Sequence, residues 1–168
     1  MNDPIETKRL ILRPFQTQDL DSFALICNDP LVMQYIGDGR ILDREGTQHL
    51  LTWIMTRHAK CGFGLLAITL KETHQLLGFC GLFEQTVDEA NHIELGYRLD
   101  RAFWGRGIAS EAAKAVKDYS HITLHIPYLI SIIHQQNVAS KKVAQKIGMH
   151  YWKSTVFKGQ TVDVFHSA

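Results

Sequence analysis

IELGYRLDRAFWGRGIASEAAK, residues Ile93 to Lys114, decides how the chain is read. Its first part, Ile93 to Leu99, is a short apolar run of strand character. A loop follows, Asp100 to Ile108, with Gly105 and Gly107 on either side of Arg106. From Ala109 the chain is alanine-rich and free of glycine and proline, which predicts a helix. A strand that feeds a helix through glycines makes an anion site. The first N–H groups of the helix have no internal partner, and the helix dipole favours negative charge there. Glycines let the backbone approach a phosphate closely and take φ > 0, and Arg106 adds a planar fork of donors. An ordinary tight strand-to-helix turn is the competing reading. The spacing matches neither common nucleotide loop: no Gly-Lys is followed by Ser or Thr, and the dinucleotide pattern meets Ser110 where it needs Gly or Ala.

On the N-terminal side, residues 8–14 alternate as a first strand. Thr17 is expected to cap a helix from Gln18 that carries Phe23, Ile26 and Cys27 on one face and stops at Asn28-Asp29-Pro30. A short helical piece runs from Leu31 to Tyr35. Asp43 to Lys60 is expected to be a second long helix, with Leu50, Ile54 and His58 on one face and Gly62 beyond its end. Phe63 to Leu70 and Leu76 to Phe83 read as a hairpin, and Val87 to Asn91 as a loop. On the C-terminal side come a helix to about Thr123, a buried strand from Leu129 to His134, a helix from Val138 to Ile147, and a hairpin of Tyr151–Phe157 and Thr161–Phe165. Strands interleaved with helices predict a layered α/β or α+β architecture.

The 168 residues suffice for one domain with a sizeable core. Lys and Arg number 18 against 17 acidic residues, and no basic run of the kind that tracks a phosphate backbone occurs, so nucleic acid is not an expected partner. No apolar stretch reaches the ~18 residues needed to span a bilayer, so no membrane partner is expected either. MNDPIETKRL lacks a positive-then-apolar signal pattern, and a cytoplasmic protein is expected. Cys27, Cys61 and Cys80 have no metal or redox spacing and read as reduced thiols. His121 and His125 stand at i, i+4 without an acidic or thiol partner at ligand spacing, so no metal is expected.

The loop has a family resemblance. WGRGIASEA resembles the acyl-CoA loop of the GNAT superfamily of N-acetyltransferases, whose pattern is Gln or Arg, two residues, Gly, one residue, Gly or Ala. Trp104, Gly107 and Ala109 stand at those places. Tryptophan at the first place resembles the branch of ribosomal-protein N-terminal (alanine/serine) acetyltransferases. TKRLILRPF, IELGYRL, NVASKKVAQKIGM and GQTVDVF fall in family order over most of the chain. The resemblance implies one domain over residues 1–168. It implies a three-layer α/β (α+β) fold: a mixed, mostly antiparallel sheet of about seven strands with about four flanking helices. The fourth and fifth strands, Ile93–Leu99 and Leu129–His134, should splay. The implied activity is acetyl transfer from acetyl-CoA to a primary amine by direct transfer in a ternary complex. The amine is a peptide N-terminus or, alternatively, a small molecule: a polyamine, an aminoglycoside-like compound or an amino-acid derivative. A non-catalytic acyl-CoA-binding module with the same fold is a further alternative. A monomer and a dimer are both compatible with the sequence. Acetyl-CoA is expected to meet Leu95, Tyr97 and Leu99 on the strand, Trp104, Gly105, Arg106, Gly107, Ile108, Ala109 and Ser110 in the loop, and Asn137 and Ser140 beyond the fifth strand.

Amine acetylation needs an acceptor that loses a proton, an oxygen stabilised as it gains charge, and a protonated leaving thiolate. Glu94 is the candidate base, directly or through water. A carboxylate in an apolar strand also has a structural reading, an ion pair with Arg98 on the same face. Asn137 is placed to cap the following helix. Ser140 is the candidate acid by resemblance, because the tyrosine that many superfamily members carry on this helix is replaced by Ala144. Cys80 as an acyl carrier is the competing covalent route.

Overall fold

The computed structural model describes residues 4–167. Eight strands form one sheet: β1 (Ile5–Glu6), β2 (Leu10–Arg13), β3 (Leu65–Leu70), β4 (Leu76–Val87), β5 (Ala90–Leu99), β6 (Ile130–His134), β7 (His150–Phe157) and β8 (Gln160–His166). Their order is β1-β2-β3-β4-β5-β6-β8-β7, and every neighbouring pair is antiparallel except β5–β6. Five helices cover it: α1 (Leu20–Cys27), α2 (Pro30–Met33), α3 (Arg44–Cys61), α4 (Ile108–Ile122) and α5 (Val138–Lys146). The sheet is one strand longer than expected because Ile5 and Glu6 pair with Leu12 and Ile11.

Alternation of side chains along the strands makes three layers. Leu66, Ile68, Leu95 and Leu99 point to one face and bury against Ile108, Ala112 and Val116 of α4 and Ala144 of α5. Leu65, Ala67 and Phe79 point to the other and bury against Phe23 and Ile26 of α1 and Leu51 and Ile54 of α3. On α3 the fully covered face is therefore Thr47, Leu51 and Ile54, a slight rotation from the expected Leu50 stripe. Asp43 caps that helix by accepting from the Gly46 N–H at 2.7 Å, and left-handed Gly62 ends it.

Two local expectations are corrected. Thr17 does not cap a helix: it opens a 3-10 turn, Thr17–Asp19, with Gln16 before it. The Asp19 carboxylate accepts from the Gln16 N–H at 2.8 Å and from Arg13 at 2.8 Å, and this pairing delays the α-helix to Leu20. Residues 87–91 are not a loop either. β4 and β5 form a single long hairpin that pairs Val87 with Ala90, with Asp88 and Glu89 both at positive φ in the turn.

β5 and β6 run parallel and pair only at Glu94 and Ile130. Beyond that point they diverge, as the resemblance implied. The Ser131 hydroxyl ties the edges near the start of the opening by donating to the Leu95 carbonyl at 2.8 Å.

Candidate active site

The divergence of β5 and β6 opens a cleft of about 490 Å³. Glu94, Gly96 and Arg98 enter it from the α1–α3 face of β5, while Leu95 and Tyr97 reach it along the strand edge. Asn137 and Ser140 line it from the start of α5, and the β7–β8 turn adds Lys158. Tyr35 and His134 stack at 5.0 Å on its wall.

Glu94 is 8 % exposed and sits where the two strands part. Burial penalises its charged form and pushes its pKa up to about 7, against weaker opposing effects from Gln85, the Ile132 N–H and Lys158. The Ile132 N–H donates to Oε1 at 3.4 Å. The expected structural partner is elsewhere: Arg98 donates through Nη1 to the Cys27 sulfur at 3.2 Å and lies over the Phe79 ring at 5.0 Å. Glu94 is thus a buried carboxyl near neutrality, without an ion-pair partner among the described residues, the condition that suits a general base.

Tyr97 and Ser140 meet across the cleft. The phenol donates to the Ser140 carbonyl at 3.0 Å and lies 2.8 Å from the Ser140 hydroxyl. Burial raises the Tyr97 pKa, so the phenol keeps its proton. Asn137 caps α5 by accepting from the Ser140 N–H at 3.1 Å. Ala144 is fully buried under the same helix. Cys80 is fully buried outside the cleft, and burial drives its thiol pKa far upward, so the structure gives it no nucleophilic character. His121 is engaged through Nδ1 with the Ile126 carbonyl at 2.7 Å.

The glycine loop lies apart from the cleft walls, past the end of β5. Asp100 accepts from the Ala102 N–H at 2.9 Å and opens a 3-10 turn, Arg101–Phe103. Exposed Trp104 donates from its indole to the Leu99 carbonyl at 3.1 Å. Gly105 and Gly107 have φ of 73° and 75°, and Gly107 caps α4 without any side-chain hydrogen bond. The first turn of α4 therefore presents backbone donors uncapped by side chains. Ile108 is buried in the core, so it can offer a ligand only its backbone, while Ala109 and Ser110 are half-buried. No atom lies within 4 Å of where a Gly105 Cβ would stand, and at Gly107 only the Arg9 guanidinium does. A diphosphate fits this cradle of donors, open space and two guanidinium groups.

Arg9 is a residue that the sequence reading missed. Glu111 of α4 holds it through Nε at 2.7 Å, and its Nη1 donates to the Arg106 carbonyl at 2.9 Å. No local signal links positions about a hundred apart. Lys158 was missed for the same reason, and Gln85 because β4 runs on past the expected end at Phe83 and brings it beside Glu94.

These features define a class, an α/β acyltransferase fold with a wedge between two parallel strands. Residues 9–150 match the family model of the acetyltransferase (GNAT) domain, and the chain belongs to that family of acetyl-CoA-dependent N-acetyltransferases. The Bacillus subtilis (strain 168) protein YkkB is 35% identical over 149 residues, 88% of this chain and 86% of that one. An acetyltransferase structure from Agrobacterium tumefaciens str. C58 superposes with a TM-score of 0.83 at 28% identity, covering 98% of this chain and 94% of that one. The fold is also shared with RimL, a ribosomal alpha-N-protein acetyltransferase in complex with coenzyme A, at a TM-score of 0.81 and 17% identity, with 98% and 97% covered.

Proposed function

We propose that the protein transfers the acetyl group of acetyl-CoA directly to a primary amine bound in the β5–β6 cleft. The observation that carries this reading is Glu94, a buried carboxyl with a pKa of about 7 that faces the cleft without an ion-pair partner. Glu94 takes a proton from the acceptor ammonium and leaves the neutral amine nucleophilic. Acetyl-CoA supplies the acetyl group and a thiolate leaving group when bound. The nitrogen forms its bond to the carbonyl carbon and the carbon–sulfur bond breaks. The sulfur takes a proton from the Tyr97–Ser140 hydroxyl pair, which regains one from solvent, and Glu94, having passed its first proton to solvent, accepts the second amine proton and releases it in the same way. The loop from Trp104 to Ser110, with Arg9 and Arg106, holds the diphosphate, and Leu95, Tyr97 and Asn137 hold the arm that leads to the thioester, whereas Leu99 is buried against α4 with its carbonyl bonded to the Trp104 indole and does not line the cleft.

A peptide N-terminus suits the cleft better than a polyamine. Steering of a polycation wants several uncompensated carboxylates at the mouth. Here Glu84 at the rim is paired with Arg57 at 3.0 Å, and Lys158 and Arg98 line the cleft. The test is release of CoA thiol with a panel of short peptides, spermidine and aminoglycosides at moderate salt. The expected result is a higher kcat/KM for peptides with a small first residue. A tenfold preference for spermidine would replace the peptide reading and leave the transfer chemistry standing.

A further inference from the structure

Arg98 is nine-tenths buried, and no ion-pair partner stands within reach of it among the described residues. Its Nε is buried without any hydrogen-bond partner. Its Nη1 donates to the Cys27 thiol, whose pKa is raised by burial, so the thiol is neutral and offers no counter-charge. The Phe79 face at 5.0 Å compensates only in part. A guanidinium stripped of water without a carboxylate is unfavourable unless something else supplies the anion. Arg98 lines the same cleft as Glu94. Both lie on one face of β5, four residues apart, so their Cα atoms are separated by about 13 Å.

Between them stands Gly96, also on the cleft wall. A Cβ there would come within 2.7 Å of the Phe83 ring, so the absent side chain leaves room for that ring against the strand. The face of β5 thus presents a carboxyl, a glycine covered by an aromatic ring, and a guanidinium without an ion-pair partner in line. We infer that this row recognises an acceptor carrying both an amine and an acid group, the amine towards Glu94 and the carboxylate or phosphate towards Arg98. This rests on the transfer reading above and adds the substrate's second charge. The acid group has two possible sources: a free amino acid or aminoalkyl phosphate, or an acidic side chain near the start of a peptide.

The experiment compares matched pairs of acceptors. γ-Aminobutyrate, β-alanine and phosphoethanolamine are set against their uncharged amide or alcohol counterparts, and peptides with Asp or Glu in the first two positions against those with Asn or Gln. Binding to the enzyme–CoA complex is read calorimetrically, and kcat/KM is read from thiol release. In the wild type the acid is expected to be favoured at least ~10-fold in one series, the equivalent of a charge-assisted hydrogen bond. The series that shows the preference identifies the source. Arg98→Gln should erase it and Arg98→Lys should keep part of it. No preference in either series of the wild type overturns the proposal even if the variants fail to fold, and so does a preference that survives Arg98→Gln. A wild type that binds acetyl-CoA but acetylates no amine defeats the transfer reading instead, while the calorimetric comparison still decides the anion site.

Discussion

Beyond the C-terminal end of β5, the chain from Asp100 to Gly107 takes its shape from local bonds, Asp100 to Ala102 and Trp104 to Leu99, and from two glycines in left-handed conformation, while Arg9 and Asp29 tie it to the rest of the fold. At the start of the cleft, Glu94 stands among residues drawn from far along the chain: Gln85 on β4, Ile132 on β6 and Lys158 in the β7–β8 turn. The first region is a backbone device and the second a side-chain device. A backbone cradle fails when its conformation is blocked. A side-chain site fails by losing one functional group, with the fold intact.

The largest expected effect follows from the backbone region. Gly107 has φ of 75° and leads directly into α4. Gly107→Val resists that conformation and fills the space a diphosphate needs. Calorimetric titration of CoA into the folded variant should show at least ~10²-fold weaker binding, about 3 kcal/mol. Wild-type affinity would remove the loop from the cofactor site.

The side-chain region gives a smaller, chemical effect. If Tyr97 and Ser140 act as one proton source, Tyr97→Phe and Ser140→Ala should each lower kcat by about tenfold, the double variant scarcely more, and CoA affinity should hold. Multiplicative losses in the double variant would show that the two hydroxyls work separately.

The same contrast explains what the sequence revealed. The end of the strand, the glycine loop and the first turn of α4 were legible to within one residue because their signals are local: apolar run, glycines, alanine-rich start. Glu94, Asn137 and Ser140 were legible through motif order, and all three line the cleft. Arg9, Lys158 and Arg98 were not. Arg9 reaches the loop through Glu111, and Lys158 reaches the cleft through β6–β8 pairing, so neither leaves a mark at its own position. Arg98 misled for the opposite reason. Its place on the Glu94 face suggested an ion pair, but the side chain turns to Cys27 and Phe79 of the α1 side. The Val87–Asn91 segment misled because Asp88 and Glu89 adopt positive φ without a glycine to announce the turn.

A further effect is expected on stability rather than on binding or rate. Glu94 has a folded pKa of about 7 against an ordinary value of 4.5. Between those pH values the folded state holds the extra proton, so stability falls as pH rises through that window, and above pH 7 the protein carries a buried charge. Glu94→Gln removes that cost. Its melting temperature should match the wild type near pH 5 and exceed it at pH 8, by a free energy of up to about 3 kcal/mol. A variant less stable than wild type at pH 8 would mean that ionised Glu94 is compensated in the fold.

The central claim is that Glu94 is the base. It is tested most directly by the pH dependence of kcat for the wild type and Glu94→Gln with one amine acceptor. Wild-type kcat should rise with pH through a midpoint near 7 as the carboxyl ionises. The variant should be lower by ~10²-fold or more at pH 7, lack that midpoint, and approach the wild type at high pH, where the acceptor amine is already neutral. The same midpoint and the same rate in both proteins would contradict the account and leave Glu94 a structural residue of the wedge.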